Sequence, residues 1–141
     1  MYLDSAYIAK YYVNEPDSPR VRAAIRRAPH LCSSSWAIAE VTCALHRHAR
    51  EGSLTLAQSH ELIDLFRGHV ESGVWNLAPV TDSLLRRTAI LIRGLPRGLP
   101  LRAGDAIHIA TAVDAGEPEI WTNDRHLTAA AAHFGIAGQC V

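Results

Sequence analysis

Leu101-Arg-Ala-Gly-Asp-Ala-Ile-His-Ile-Ala-Thr-Ala-Val113 sets an acid at the mouth of a helix that is apolar on nearly every face. After Asp105 the apolar residues are Ala106, Ile107, Ile109, Ala110, Ala112 and Val113. A helix apolar all round belongs inside a protein. Gly104 and Asp105 open it. A short polar side chain at such a place accepts the unpaired amide protons of the first turn. Asp105 is therefore a cap or a ligand, and the choice depends on whether other acids reach the same place.

Three others follow the same pattern. Asp4 ends Met1-Tyr-Leu3, Glu40 comes after His30-Leu-Cys-Ser33, and Asp124 comes after Glu119-Ile-Trp-Thr122. Each follows a short extended apolar run, at or near a helix start. In a parallel α/β sheet these positions converge at the carboxyl edge of the strands, where ligands bind.

The rest of the chain alternates in the same way. Tyr2-Leu3 reads as a strand and Ser5 to Tyr12 as a helix. Asn14-Glu-Pro-Asp-Ser-Pro19 stops that helix, and Arg20 to Arg27 forms the next. Ser34 or Ser35 is placed to cap a helix from Trp36 to Arg50, closed by Gly52. Thr55 caps another to Val70. Val74 to Ala78 is strand-like, kept short by Pro79. A helix capped by Thr81 or Asp82 runs to Ile92, and Gly94 to Pro100 is a loop. After the Asp105 helix come the Glu119–Thr122 strand, a helix from Asp124 to Phe134 and a last strand at Gln139–Val141. Strands alternating with helices imply a parallel sheet with right-handed crossovers. Residues 1–141 read as one domain, without a linker or repeat.

Composition narrows the function. Apolar residues make up 48% and charged residues 20%, and the formal net charge is +0. That excludes a strongly basic nucleic-acid clamp, though not local patches. Lys10 is the only lysine among the 14 basic residues. Cys32, Cys43 and Cys140 have no paired spacing and read as reduced thiols, as in a cytoplasmic protein. No leader pattern and no membrane-length apolar run is expected. There is no glycine-rich turn after the first strand for a dinucleotide, no glycine elbow around Ser33-Ser-Ser35, and no late lysine for a phospho-receiver site.

Four carboxylates in one place repel, and a divalent cation relieves them. Mg²⁺, or Mn²⁺, takes hard oxygen ligands and keeps several waters. Such an ion anchors a phosphate oxygen, acidifies a water and offsets charge on the attacked phosphorus. Hydrolysis of a phosphodiester is the chemistry expected. Glu40 lies inside its helix, where Ala37 and Ala44 leave room for another element to come close.

Asp4 in Tyr-Leu-Asp-Ser-Ala, Glu40 in Ala-Ile-Ala-Glu-Val, Asp105 in Gly-Asp-Ala-Ile-His-Ile-Ala-Thr-Ala, and Asp124 in Trp-Thr-Asn-Asp-Arg-His-Leu resemble the four acidic motifs of PIN-domain ribonucleases. The likeness is greatest to the small toxins of bacterial VapBC toxin–antitoxin modules. It covers nearly the whole chain in order, including the Asn-Glu-Pro turn after the first helix. It implies a three-layer α/β/α fold with four or five parallel strands and a Mg²⁺-dependent endoribonuclease held inactive by an antitoxin. It also implies a site made of Asp4, Glu40, Asp105 and Asp124, with Asp4 and Asp105 as metal ligands and Ser5 and Thr122 as supporting hydroxyls. RNA is the implied substrate, and a homodimer fits the family. The alternative is a non-catalytic scaffold of the same fold that binds RNA or protein. Cys43-x-x-His46 is read as chance spacing and His108 as either a core histidine or a contact of the acid.

Overall fold

The computed structural model describes all residues, 1–141. Five parallel strands form one sheet in the order β3-β2-β1-β4-β5. They are β1 (Tyr2–Leu3), β2 (Cys32–Ser34), β3 (Asn76–Ala78), β4 (Glu119–Trp121) and β5 (Ala137–Gln139). Seven helices connect them: α1 (Ser5–Tyr12), α2 (Ser18–Arg27), α3 (Ala37–Arg50), α4 (Leu56–Glu71), α5 (Asp82–Arg93), α6 (Ala103–Asp114) and α7 (Arg125–His133). This is the three-layer α/β/α arrangement expected from the sequence.

β1 is the middle strand, although it comes first in the chain. Tyr2 is in register with Cys32 on one side and Ile120 on the other. Its two residues point to opposite faces, as the pleat requires. Leu3 enters the core formed with α1, α2, α3 and α4, beside Tyr7, Ile8, Val21, Val41, Leu45 and Phe66. Tyr2 enters the other core, with Ile109, Ile120, Leu127 and Ala130 from α6, β4 and α7. The sheet is thus covered on both faces by helices. The chain order reverses between β1 and β4, so the crevice beyond their carboxyl ends is the switch point of the fold.

Element boundaries differ from the sequence expectation where chemistry at an end outweighs periodicity. α2 starts at Ser18, so Pro19 falls inside its first turn, where a missing amide proton costs nothing. α3 starts at Ala37; Trp36 holds the cap position, and Ser34 Oγ instead accepts from the Trp36 amide. β2 begins at Cys32 instead of His30, because Cys32 is the first residue in register with both Tyr2 and Asn76. β3 is Asn76–Ala78, shorter than the Val74–Ala78 run. β5 is Ala137–Gln139, two residues earlier than expected, with Gly138 and Gln139 in register with Ile120 and Trp121. The most consequential difference concerns Asp105. Arg102 occupies the cap position of α6, and Asp105 lies inside its first turn with no capping duty. No helix is long and apolar enough to cross a membrane.

Candidate active site

The switch point holds a cavity of about 410 Å³ lined by Asp4, Glu40, Asp105 and Asp124, together with Ser5 and His108. Each acid arrives from a different element. Asp4 follows β1 and caps α1, accepting the Tyr7 amide at 2.7 Å. Asp124 follows β4 and caps α7, accepting the His126 and Leu127 amides at 2.7 and 3.2 Å. Glu40 comes from the first turn of α3 and Asp105 from that of α6. For Asp4 and Asp124 the choice between cap and ligand was not a real one. One carboxylate oxygen serves the helix, and the side chain still faces the cavity.

Thr122 sits between two of these acids. Its Oγ1 accepts the Asp124 amide at 2.9 Å, and the same hydroxyl lies near Asp4, where it favours the ionised carboxyl. Burial raises the Asp4 carboxyl above its ordinary range, although Thr122 and the Tyr7 amide pull the other way. Asp4 is 6% exposed and no Lys or Arg side chain pairs with it.

Glu40 is held differently. Its Oε2 accepts from Ser5 Oγ at 2.6 Å and lies 3.0 Å from His108 Nε2. The His108 Nδ1 in turn lies 3.1 Å from the Tyr2 hydroxyl. With the proton on Nε2, His108 donates to Glu40 and accepts from Tyr2, which leaves this 2%-exposed ring fully satisfied. Burial alone would raise the Glu40 carboxyl, but the bonds from His108 and Ser5 outweigh it and hold the group below its usual range. His108 is therefore a core histidine and an acid contact at once, and the acid is Glu40, not the adjacent Asp105.

Gly104 makes this approach possible. A Cβ at that position would lie 2.4 Å from Glu40 Oε1 and 3.0 Å from Trp36 Nε1. Only a residue without a side chain lets the first turn of α6 lie against the carboxylate of α3.

Arg102 closes the outer side. Its Nε donates to Asp105 at 2.9 Å and its guanidinium Nη2 to Asp124 at 2.8 Å. The side chain is 78% exposed, so it spans the rim of the cavity and stays in water. Burial would raise the Asp124 carboxyl, yet the two α7 amides and then Arg102 bring it below the ordinary range. The sequence could show that Arg102 flanks Asp105 but not which way it points. Lys10, Glu15, Arg47, His48 and Asn123 also line the cavity and carried no sequence signal. Lys10 bonds Asp17, Asp17 bonds Asn123, and Asn123 Oδ1 accepts from the Tyr7 hydroxyl at 2.8 Å. Cys43 and His46 form no group with a third metal-ligating side chain.

The chemistry of the donors suits a hard divalent cation, while their present spacing, with Arg102 bridging two of them, brings no three of the four carboxylates within 4.8 Å of one another. All four acids offer oxygen, and Asp4 is desolvated without a basic partner, a cost that a cation would offset. An open parallel sheet with acids from four elements meeting at its switch point defines an acid-site α/β protein. The PIN-domain family model matches residues 1–132, and the chain belongs to the PIN-domain family. Among solved structures, the chain is similar to the Mycobacterium tuberculosis VapC20 toxin, described as cleaving the sarcin-ricin loop. The TM-score is 0.67 at 15% identity, covering 92% of this chain and 93% of that one. It is also similar to FitAB bound to an IR36 DNA fragment, with TM-score 0.66 and 17% identity over 99% of this chain and 93% of that one. No curated protein sequence matches it significantly.

Proposed function

We propose that this chain is a divalent-metal-dependent endoribonuclease and the toxin of a VapBC-type pair. The observation that carries the proposal is the meeting of Asp4, Glu40, Asp105 and Asp124 around one cavity. Asp4 and Asp105 would hold Mg²⁺ or Mn²⁺, with Glu40 and Asp124 completing the acidic ring. When bound, the cation supplies an anchor for a phosphate oxygen and a more acidic water. The chain's residues do the remainder. Ser5 and His108 fix Glu40 Oε2 in one orientation, and Oε1 lies against Gly104. Glu40 is held ionised, so it can take a proton from a water during attack on phosphorus. Thr122 anchors the Asp124 backbone and lies beside Asp4. Arg102, at the rim, is free to leave Asp105 and contact a phosphate, since exposed ion pairs contribute only about 0–1 kcal/mol.

The second reading is a non-catalytic scaffold, and one observation favours it. Arg102 already neutralises Asp105 and Asp124. Its exposure favours the enzyme instead, because exposed ion pairs contribute only about 0–1 kcal/mol and are readily displaced by a cation or a phosphate.

As the toxin of a pair, the protein needs a partner. Ile38, Leu56, Leu65 and Ile90 are exposed on helices α3, α4 and α5 and give an antitoxin, or a second copy of the chain, apolar surface to cover. An antitoxin side chain carrying Arg or Lys would suit the acidic cavity. The test is RNA cleavage by the purified chain with Mg²⁺ or Mn²⁺, with and without chelator, in wild type and Asp4→Asn. Metal-dependent cleavage lost in the variant is expected. Cleavage unaffected by chelator would overturn the mechanism, and absence of both cleavage and metal binding would leave the scaffold.

A further inference from the structure

His30, Cys32 and Glu117 meet at the opposite edge of the sheet from the acidic cavity. His30 precedes β2, Cys32 is its first residue, and Glu117 lies in the turn between α6 and β4. One ligand atom from each lies within 4.8 Å of the other two. Cys32 Sγ is 3.2 Å from Glu117 Oε1, and His30 Nε2 is 3.4 Å from the same oxygen. Zn²⁺ binds imidazole nitrogen and carboxylate oxygen at about 2.0–2.2 Å and thiolate at about 2.3 Å. The edges of a tetrahedron built on those bonds are about 3.3–3.6 Å. The two measured separations fall close to these edges before any ion is added.

The backbones beneath Cys32 and Glu117 are pinned. The Cys32 amide bonds Met1 O at 3.0 Å, in the β1–β2 ladder. The Glu117 amide bonds Ala112 O at 3.0 Å, after Gly116 turns the chain at φ 68°. His30 is exposed, while Cys32 and Glu117 are half-buried, so the group is shaped yet open to solvent. The Met1 amino group lies 3.2 Å from His30 Nε2 and 3.8 Å from Glu117 Oε2. A metal ion binding here would have to displace that amino group from His30 Nε2.

We propose that His30, Cys32 and Glu117 form a second metal site, for Zn²⁺ or an ion of similar softness, separate from the Mg²⁺ chemistry of the acidic cavity. On binding, the Cys32 thiol loses its proton to solvent and the S–H bond is replaced by an S–Zn bond. His30 donates Nε2, Glu117 one carboxylate oxygen, and water the fourth position. Hardness keeps the two sites apart: a thiolate and an imidazole select Zn²⁺, and a ring of carboxylates selects Mg²⁺. The site links the start of β2 to the turn that feeds β4, the two strands flanking β1, so occupancy stabilises the sheet by mass action.

The test uses Co²⁺ and Zn²⁺ alone, added to the purified full chain. One equivalent of Co²⁺ should give a thiolate-to-metal charge-transfer band, which one equivalent of Zn²⁺ removes. The band should persist in Asp105→Asn and disappear in Cys32→Ser. Glu117→Gln should weaken Zn²⁺ binding by at least about tenfold, since even outer-shell losses cost about 10–100-fold. Wild-type protein that gives no charge-transfer band overturns the proposal, and so does a band that survives in Cys32→Ser and must then come from Cys43 or Cys140. Thermal unfolding of each variant without metal checks that it is folded before titration.

Discussion

Gly104→Ala separates the geometry of the acidic site from the stability of the fold. The new Cβ would lie 2.4 Å from Glu40 Oε1, whereas ordinary contact begins at 3.4 Å. Glu40 must therefore move its carboxylate by about 1 Å, and its flexible end can do so cheaply. The movement costs its bonds to Ser5 at 2.6 Å and His108 at 3.0 Å, each contributing about 1 kcal/mol. Against this, alanine is preferred over glycine inside a helix by about 0.8–1 kcal/mol. The two effects leave stability within about 1 kcal/mol of wild type, a shift of no more than a few degrees in Tm. Catalysis responds differently, because a 1 Å misplacement can cost about 100-fold. The assay is kcat/KM for RNA cleavage beside thermal unfolding of the same preparation. A variant with wild-type cleavage would refute the role given to Glu40. A variant that unfolds would refute the claim that its side chain yields cheaply.

Three further outcomes are expected. Asp4→Asn keeps the cap of α1, because Asn accepts an amide as well as Asp. It also removes a charge whose carboxyl burial pushes up. Without metal, its Tm at neutral pH should rise by a few degrees, and Mn²⁺ should raise the Tm of wild type only, as read by thermal unfolding. Arg102→Ala frees Asp105 and Asp124 from a counter-ion that a metal must otherwise displace. Calorimetry should show Mn²⁺ binding strengthened by up to about fivefold, the equivalent of about 1 kcal/mol for an exposed pair. The Lys10 side chain, bonded first, and Asn123 hold the Asp17 carboxyl below its ordinary 3.8. A depressed carboxyl stabilises the fold above that ordinary value and loses its contribution as pH falls through the lower, folded value. Lys10→Met should therefore lower stability by about 2–3 kcal/mol at neutral pH and by little at pH 2–3, checked by urea unfolding at both.

The element order was legible because buried strands and helix starts leave strong local marks. Short apolar runs followed by an acid marked the ends of β1 and β4, and the all-round apolar run after Asp105 marked α6. Gathering the four acids followed from parallel-sheet topology combined with a family likeness. What local sequence could not carry was direction. Nothing in the order of residues tells that Arg102 turns inward over two acids, or that His108 meets Glu40 instead of the acid three residues before it. The significance of Gly104 was likewise hidden, since its neighbour in space, Glu40, comes 64 residues earlier in the chain. Lys10, Asp17 and Asn123 join through contacts distant in sequence and had no motif to announce them. The cluster of His30, Cys32 and Glu117 has no local mark for the same reason, since its third member is far from the first two in sequence.

Calorimetric titration of Mn²⁺ into the wild-type chain and into Asp105→Asn tests most directly whether the acidic ring exists to hold a cation. Saturable binding to wild type, abolished or strongly weakened in the variant while its thermal unfolding stays cooperative, is the predicted result. Equal binding by both proteins, or none by wild type, would contradict it.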